Sequence, residues 1–242
     1  MTGGCIFCGA RPTTKTHVFR KAWLERAMPA GPDGYFIHRQ VREGPNPFDV
    51  TWQRDSFDIQ PHAACQGCNG GWMHDVEHRG ENLVEPCVLG RGRTFPPNTH
   101  NALARWILMC MVVLDQTLGD PAVEQPVRDA LMNEWAPPDD CHVWLAATNS
   151  AEDTVNAWPR PWLLNSPSYA GNAYFCTFRI KHFVAQGFIP LGGTPKDLTF
   201  DRIGANRQFV VQVWPSGGDA VWPPPSVLLG DQVENFSRAF ER

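Results

Sequence analysis

The sequence lacks an apolar run long enough to cross a bilayer. The longest candidate, residues 102–118, is interrupted by Arg105 and Asp115, whereas a spanning helix needs roughly 18 uninterrupted apolar residues. The opening Met-Thr-Gly-Gly-Cys has neither the basic nor the apolar segment of a secretory signal. We therefore expect a cytoplasmic protein with no membrane partner, in which the eight cysteines stay reduced.

An excess of charge of one sign is also missing. The chain has 21 Lys and Arg against 25 Asp and Glu, which gives a net charge of −4. Residues 1–110 carry 12 basic and 10 acidic side chains, a net charge of +2, and residues 111–242 carry 9 and 15, a net charge of −6. Bulk electrostatics therefore does not favour nucleic-acid binding, and any such role must depend on a local site.

The composition is that of a globular protein. The chain has 242 residues, of which 43% are hydrophobic, enough for one substantial core or two small ones. Residues 90–98 contain two glycines and a Pro-Pro pair, a pattern typical of a linker. We expect a boundary there, with one domain over residues 1–95 and a second over residues 96–242.

The hydrophobic periodicity predicts a mixed α+β fold. Period-two alternation at 35–42 and 48–53 predicts a β-hairpin, and a helix is expected over 66–83, with His74, Glu77, His78 and Glu81 on its polar side. The second domain is predicted to have helices packed on a small antiparallel sheet. Its helices are expected at 101–118, 122–135 and 232–240, and its strands at 141–147, 173–180, 183–189 and 208–214.

Two Cys-x-x-Cys pairs are the strongest chemical signal. Cys5 and Cys8 form the first pair, and Cys65 and Cys68 the second. Four thiolates can bind one tetrahedral zinc ion. The alternative, a redox dithiol, normally follows a strand in a βαβ unit, which the pattern here does not contain. A knuckle, a hairpin and a helix carrying the last two ligands is the order of a treble-clef zinc module.

The other four cysteines are isolated within apolar runs, and we expect them to be small core residues. They are Cys87, Cys110, Cys141 and Cys176.

Three motifs in order carry a resemblance to a known family. They are Cys-Ile-Phe-Cys-Gly at 5–9, Lys-Thr-His-Val-Phe at 15–19 followed by Trp-Leu at 23–24, and Cys-Gln-Gly-Cys-Asn-Gly-Gly-Trp-Met at 65–73. Together they resemble the HNH endonuclease superfamily in its zinc-stapled form. The resemblance covers about residues 5–80, and the rest of the chain has no motif that points to a chemistry.

The resemblance implies a ββα-metal nuclease that hydrolyses phosphodiester bonds of DNA or, less typically, RNA. By motif position, His17 is the general base, and Asn69 is the helix-borne ligand of a second divalent ion, Mg, Mn or Ni. That ion would stabilise the charge on the phosphorane and the leaving oxygen. The zinc in the four cysteines would be a separate, structural ion.

The chain departs from the family pattern at two positions. Family members usually have an acidic residue before the histidine and a proline three residues after it, where this chain has Thr16 and Arg20. A hydroxyl is a weak ligand for a hard cation. Two alternatives therefore stand beside the nuclease. One is a zinc-stapled module that binds nucleic acid or protein without turnover, and the other is an enzyme that uses the cleft for small-molecule chemistry.

Both proposed site residues also have a structural interpretation. His17 can be a partly buried histidine that packs under the zinc site. Asn69 can cap a helix or bind a loop carbonyl, since asparagine often forms local hydrogen bonds. Glu77 cannot replace the missing ligand, because eight helical residues place it about 12 Å from Asn69.

Overall fold

A computed structural model of the chain describes residues 4–28, 36–42, 48–54, 60–118, 120–166, 169–191 and 208–237. Helices and strands are mixed along the chain, as predicted. In order they are β1 (Thr13–Lys15), α1 (Lys21–Ala27), β2 (Phe36–Arg42), β3 (Phe48–Arg54), β4 (His62–Cys65), α2 (Gln66–Asn69), α3 (Trp72–Val88), β5 (Arg93–Phe95), α4 (Pro97–Asp115), α5 (Gln125–Asn133), β6 (His142–Ala147), β7 (Val155–Ser166), β8 (Tyr169–Ile180), β9 (Phe183–Leu191), β10 (Val211–Trp214), β11 (Ala220–Trp222) and α6 (Gln232–Ser237).

The strands form one large sheet and two small ones. The large sheet has seven strands in the order β10-β6-β9-β8-β7-β2-β3, and the two-stranded sheets pair β1 with β4 and β5 with β11. All the strand pairs are antiparallel except β2 with β7, which are parallel at His38 and Ala157. The predicted hairpin is confirmed as β2–β3, and it joins the large sheet.

Helix α4 lies at the centre of the core. Every residue from Trp106 to Leu114 is at most 1% exposed, so the helix is covered on all sides. Trp106 packs edge-on to Trp23 of α1 and to Phe178 of β8. Tyr174 of β8 donates its hydroxyl to the carbonyl of Met111. This helix therefore fixes the large sheet relative to the N-terminal elements.

The opposite face of the sheet has a smaller cluster of its own. Strand residues such as Trp144, Phe175 and Phe188 pack there with Val233 and Phe236 of α6. Successive residues of a strand point to opposite faces, so β6 and β8 contribute to both clusters. The four isolated cysteines are fully buried, which confirms their prediction as core residues.

The tract predicted as a linker is different in the structure. Residues 93–95 form β5, which pairs with β11, and Phe95 is fully buried. The hydrophobic core runs without interruption from Cys5 in the N-terminal part to Trp222 in the C-terminal part. Local composition did not reveal this, because the strand that pairs with β5 lies more than 120 residues further along the chain. Whether either part folds alone stays a prediction.

The predicted helix over 66–83 is divided and longer. Gly70 and Gly71 separate α2 from α3, and α3 continues through Pro86 to Val88. Glu77 and Glu81 were predicted on its polar side, but they are only 5% and 1% exposed. No helix in the described ranges is long and apolar enough to cross a membrane.

Candidate metal centre

The four cysteines of the two Cys-x-x-Cys pairs converge at one point. The sulfur atoms of Cys5, Cys8, Cys65 and Cys68 all lie within 4.8 Å of one another. The Sγ of Cys8 is 3.6 Å from both the Sγ of Cys65 and the Sγ of Cys68. Only Cys8 is exposed to solvent. The cluster, called the cysteine cage below, has the spacing and the donor set of a site for one metal ion.

The first pair lies in a tight turn. The amide of Gly9 donates to the carbonyl of Cys5 at 2.8 Å, and the amide of Cys5 donates to the carbonyl of Ala10 at 2.9 Å. Gly9 has a φ of +74°, which glycine adopts without the steric cost that a Cβ would add. This turn places Cys5 and Cys8 on the same side.

The second pair reaches the cage because β1 and β4 are paired. Thr13 lies opposite Cys65, and Thr14 opposite Ala64. The amide of Ile6 donates to the carbonyl of Ala63 at 2.9 Å, which ties the first turn directly to β4. A two-stranded sheet thus connects the two cysteine pairs, and neither of its strands was predicted.

The pKa values of the cage thiols depend on burial and on hydrogen bonds from nearby backbone amides. Burial raises the pKa of Cys5, but hydrogen bonds from the backbone of Cys8, Cys65 and Phe7 outweigh it and lower the pKa from 9.0 to about 7. Burial raises the pKa of Cys68. A cation in the cage would favour the thiolate form of all four sulfurs.

Thr16, the residue before His17, is fully buried. Its hydroxyl oxygen accepts the amide of Ala64 at 3.0 Å and donates to the carbonyl of Thr14 at 3.4 Å. Its own amide donates to the carbonyl of Pro61 at 2.9 Å. The side chain therefore holds β1 against β4.

His17 and Asn69 both lie at the end of β1. His17 follows the strand by two residues and is half-buried. The side-chain amide of Asn69 donates to the hydroxyl of Thr14 and to the carbonyl of Lys15, both at 3.3 Å. These two bonds fasten α2 to β1, which is the local role that the structural interpretation of Asn69 describes.

Arg20, three residues after His17, is paired with a carboxylate that is distant in the sequence. Its Nε lies 2.8 Å from both carboxylate oxygens of Glu81, and its Nη2 also bonds to this carboxylate. Glu77 lies one turn earlier on α3. Burial, followed by the charge of Glu81, raises the pKa of Glu77 from 4.5 to about 7, and Arg20 only partly opposes this shift.

The cage also has exposed basic neighbours that sequence reasoning missed. Lys15 pairs with His62 across β1 and β4, and both side chains are exposed, as is Arg11 before β1. Within the described residues, neither Arg11 nor Lys15 forms an ion pair. The signal was the position of Lys15 inside the Lys-Thr-His motif, and that of His62 three residues before Cys65.

His74 and His78 are exposed on α3, as expected for a solvated edge. The cysteine cage is the only group of three or more Cys, His, Asp or Glu side chains with converging ligand atoms among the described residues. Comparisons with protein families, curated proteins and solved structures found no family model that matches the chain and no significant match to a protein or a structure.

Proposed function

We propose that this protein is a zinc-stapled nucleic-acid-binding protein, built on a treble-clef module of HNH type that keeps the scaffold without metal-dependent cleavage. The observation that carries the proposal is the combination of an assembled cysteine cage with a Thr16 hydroxyl that is bonded to Ala64. The converged cysteines support such a scaffold, and the hydrogen bond of the Thr16 hydroxyl to the backbone supports a role without cleavage.

Zinc is the metal that fits the cage best. A tetrahedral zinc ion with four Zn–S bonds of about 2.3 Å separates neighbouring sulfurs by about 3.8 Å. The closest sulfur pairs are 3.6 Å apart and none is farther apart than 4.8 Å. Four thiolates also favour zinc over the hard cations magnesium and calcium. The ion would join the first turn to the start of α2, as structural zinc does.

Nucleic acid is the partner that the cage surface supports. Arg11, Lys15 and His62 form an exposed basic surface beside the cage, on or next to its two-stranded sheet. Exposed basic side chains are available to phosphate groups, and such contacts supply most of the affinity in sequence-independent binding. DNA is the first expectation, and RNA the second.

The binding proposal is tested with fluorescently labelled duplex DNA at several salt concentrations. We expect Lys15→Ala and Arg11→Ala each to weaken binding and to reduce the slope of log K against log[salt] by about 0.9. Arg91→Ala is the matched control, because Arg91 is also exposed but lies past the far end of α3. Metal analysis should find one zinc per chain. Absence of binding to duplex DNA and to RNA at low salt would reject the proposal.

The second candidate function is the metal-dependent endonuclease, with His17 as general base and Asn69 as ligand of a Mg, Mn or Ni ion. The observation in its favour is the place of both residues at the end of β1, where Asn69 contacts the carbonyl of Lys15. We expect no plasmid nicking with any of the three metals. Nicking that disappears in His17→Ala would replace the binding proposal with this one.

A further inference from the structure

A cleft beside the zinc module combines two arginines with two tryptophans. It lies between the start of α3, the first half of α4 and the end of α5, and its volume is about 520 Å³. Ligand pockets usually measure about 300–1,000 Å³. Its walls include Trp72 and Arg79 of α3, Arg105 of α4, and Trp135 just after α5. We call it the arginine–tryptophan cleft.

Each guanidinium in this cleft faces an indole ring. Arg105 lies 5.3 Å from the ring centre of Trp72, and Arg79 lies 5.3 Å from that of Trp135. The rings of Phe7 and Trp72 pack edge-on, with 4.9 Å between the ring centres. The Trp135 side of the cleft is open, because this residue is 73% exposed. The cleft therefore has one fixed ring and one available ring.

The two arginines have no acidic partner among the residues that the structure describes. Arg105 donates from Nε to the carbonyl of Leu131 at 2.8 Å and from Nη2 to that of Met132 at 3.1 Å, which holds the guanidinium in place. In the part of the chain that the structure describes, neither Arg79 nor Arg105 forms an ion pair with a carboxylate. Burial, followed by the positive charge of Arg79, lowers the pKa of Arg105. An anion between the two guanidinium groups would relieve this repulsion.

The remaining walls indicate what the anion is attached to. Asn98, Asn101 and Asn133 contribute amides that both donate and accept, and Asp75 and Glu134 contribute carboxylates. Carboxylates accept hydrogen bonds from exocyclic amino groups of bases, but they disfavour a ligand with several negative charges. A phosphodiester carries one charge for each nucleotide. The walls therefore suit an amino-bearing base joined to a singly charged phosphate.

We propose that the arginine–tryptophan cleft binds a nucleotide unit, with the base stacked on Trp135 and the phosphate at Arg79 and Arg105. Base–aromatic stacking combined with a positive groove is how proteins bind single strands. The same chemistry could come from a single-stranded nucleic acid or from a free nucleotide. The proposal extends the proposed function to a second surface and does not depend on contacts at Lys15 or Arg11.

The test is fluorescence anisotropy with a labelled 12-nucleotide oligodeoxycytidylate and the full-length protein. Stacking is worth about 1–3 kcal/mol per base, so we expect Trp135→Ala to weaken binding at least about fivefold, and Trp135→Phe to retain most of the affinity. Arg79→Gln should weaken binding and reduce the salt slope by about 0.7. Arg91→Gln, which lies outside the cleft, should change neither value. Both target side chains are exposed, so the variants should keep their melting temperatures.

Two further arms separate the outcomes. The competitor is the methyl ester of deoxycytidine monophosphate, a phosphodiester with a single charge. Competition as effective, per nucleotide, as the oligomer identifies a free nucleotide unit as the occupant, and weaker competition identifies a strand. No binding of either probe, or binding that Trp135→Ala and Arg79→Gln leave unchanged, overturns the proposal. Lys15→Ala should weaken duplex binding and leave oligomer binding intact; duplex binding that Lys15→Ala leaves unchanged would reject the proposed function alone, and oligomer binding that Trp135→Ala leaves unchanged would reject the cleft proposal alone.

Discussion

At the scale of single residues, Arg20 joins the start of α1 to the middle of α3. Its side chain is 28% exposed, whereas that of Glu81 is 2% exposed, so the guanidinium is in contact with water and the carboxylate is not. A buried carboxylate without a partner is costly. Arg20 therefore stabilises a charge that the fold has buried.

We predict that Arg20→Ala lowers the free energy of unfolding by about 2–3 kcal/mol at neutral pH, because it leaves Glu81 buried and unpaired. The measurement is urea unfolding. Arg26→Ala is the matched control: it removes a pair with Glu85 whose side chains are 59% and 31% exposed, which should cost less than about 1 kcal/mol. Equal losses in the two variants would show that the Glu81 pair contributes no more than a surface pair.

Glu77 gives a second prediction, for the dependence of stability on pH. Its pKa in the folded protein, about 7, is above the ordinary value of 4.5, so between these values the folded state binds more protons than the unfolded state. Stability from this group is thus complete below pH 4.5 and is lost as the pH rises to about 7 and just above. In Glu77→Gln, the decline in the free energy of unfolding with rising pH should be smaller by up to about 3 kcal/mol.

The measurement is the free energy of unfolding of both proteins between pH 5 and pH 9. The raised pKa of Glu81 contributes a decline of the same sign, but it does so in both proteins. The difference between the two curves therefore reports Glu77. Parallel curves would mean that Glu77 is ionised in the folded protein throughout this range.

At the scale of elements, α3 and α4 approach closely because one of them has a glycine at the crossing. A Cβ added to Gly80 would lie 2.2 Å from Cγ of Trp106. Trp106 is only 1% exposed and packs against four aromatic rings. The indole has no free space to move into. Gly80 therefore sets the distance between the two helices.

We predict that Gly80→Ala destabilises the protein by up to about 2 kcal/mol, because overpacking costs about 1–3 kcal/mol and the gain of about 1 kcal/mol in helix propensity offsets only part of this cost. Thermal unfolding is the measurement. Gly217→Ala is the control, since a Cβ there would have no atom within 4 Å, and it should be near neutral. A melting temperature of Gly80→Ala at or above that of the wild type would contradict this account of the crossing.

The sequence was sufficient for those elements whose signal is local. The hairpin β2–β3, the buried helix α4 and the four cage cysteines follow from period-two alternation, apolar length and Cys-x-x-Cys spacing. Strand β7 was missed because Pro159 and Pro161 read as breakers. Both prolines follow Ala157, the residue of β7 that pairs with β2, so the pairing with β2 does not require the amide hydrogens that proline lacks.

What could not be predicted depends on pairings between distant residues. The helical wheel put Glu77 and Glu81 on the solvent side, because it cannot see that Arg20, 61 residues earlier than Glu81, packs against that side. The strand β5 was taken for a linker for the same reason. The arginine–tryptophan cleft likewise brings together α3, α4 and α5, and of its two arginines and two tryptophans only Trp72 belongs to a motif.

At the scale of the whole molecule, the cysteine cage is connected to the rest through α5. The side chain of Gln125 donates to the carbonyl of Phe7 at 3.2 Å, and that of Arg128 to the carbonyl of Ile6 at 3.5 Å. Both carbonyls belong to the turn between Cys5 and Cys8. The order of this turn and the position of α5 are therefore coupled.

This coupling predicts how the protein responds to loss of metal. Removal of the ion by a chelator under reducing conditions should leave the thiols without a cation, so that the turn and the β1–β4 sheet lose their staple. We expect hydrogen exchange to increase by an order of magnitude or more over residues 4–15 and 62–71, and to increase also over α5. Strands β6, β8 and β9 should keep their protection, because the backbone pairing that holds them joins these strands to one another. Cys8→Ser, at the exposed cage position, should give the same pattern without chelator.

Two outcomes would contradict this account. Increased hydrogen exchange in every element at once would mean that the cage supports the whole core. Unchanged exchange in α5 would mean that its hydrogen bonds to the turn do not hold this helix in place.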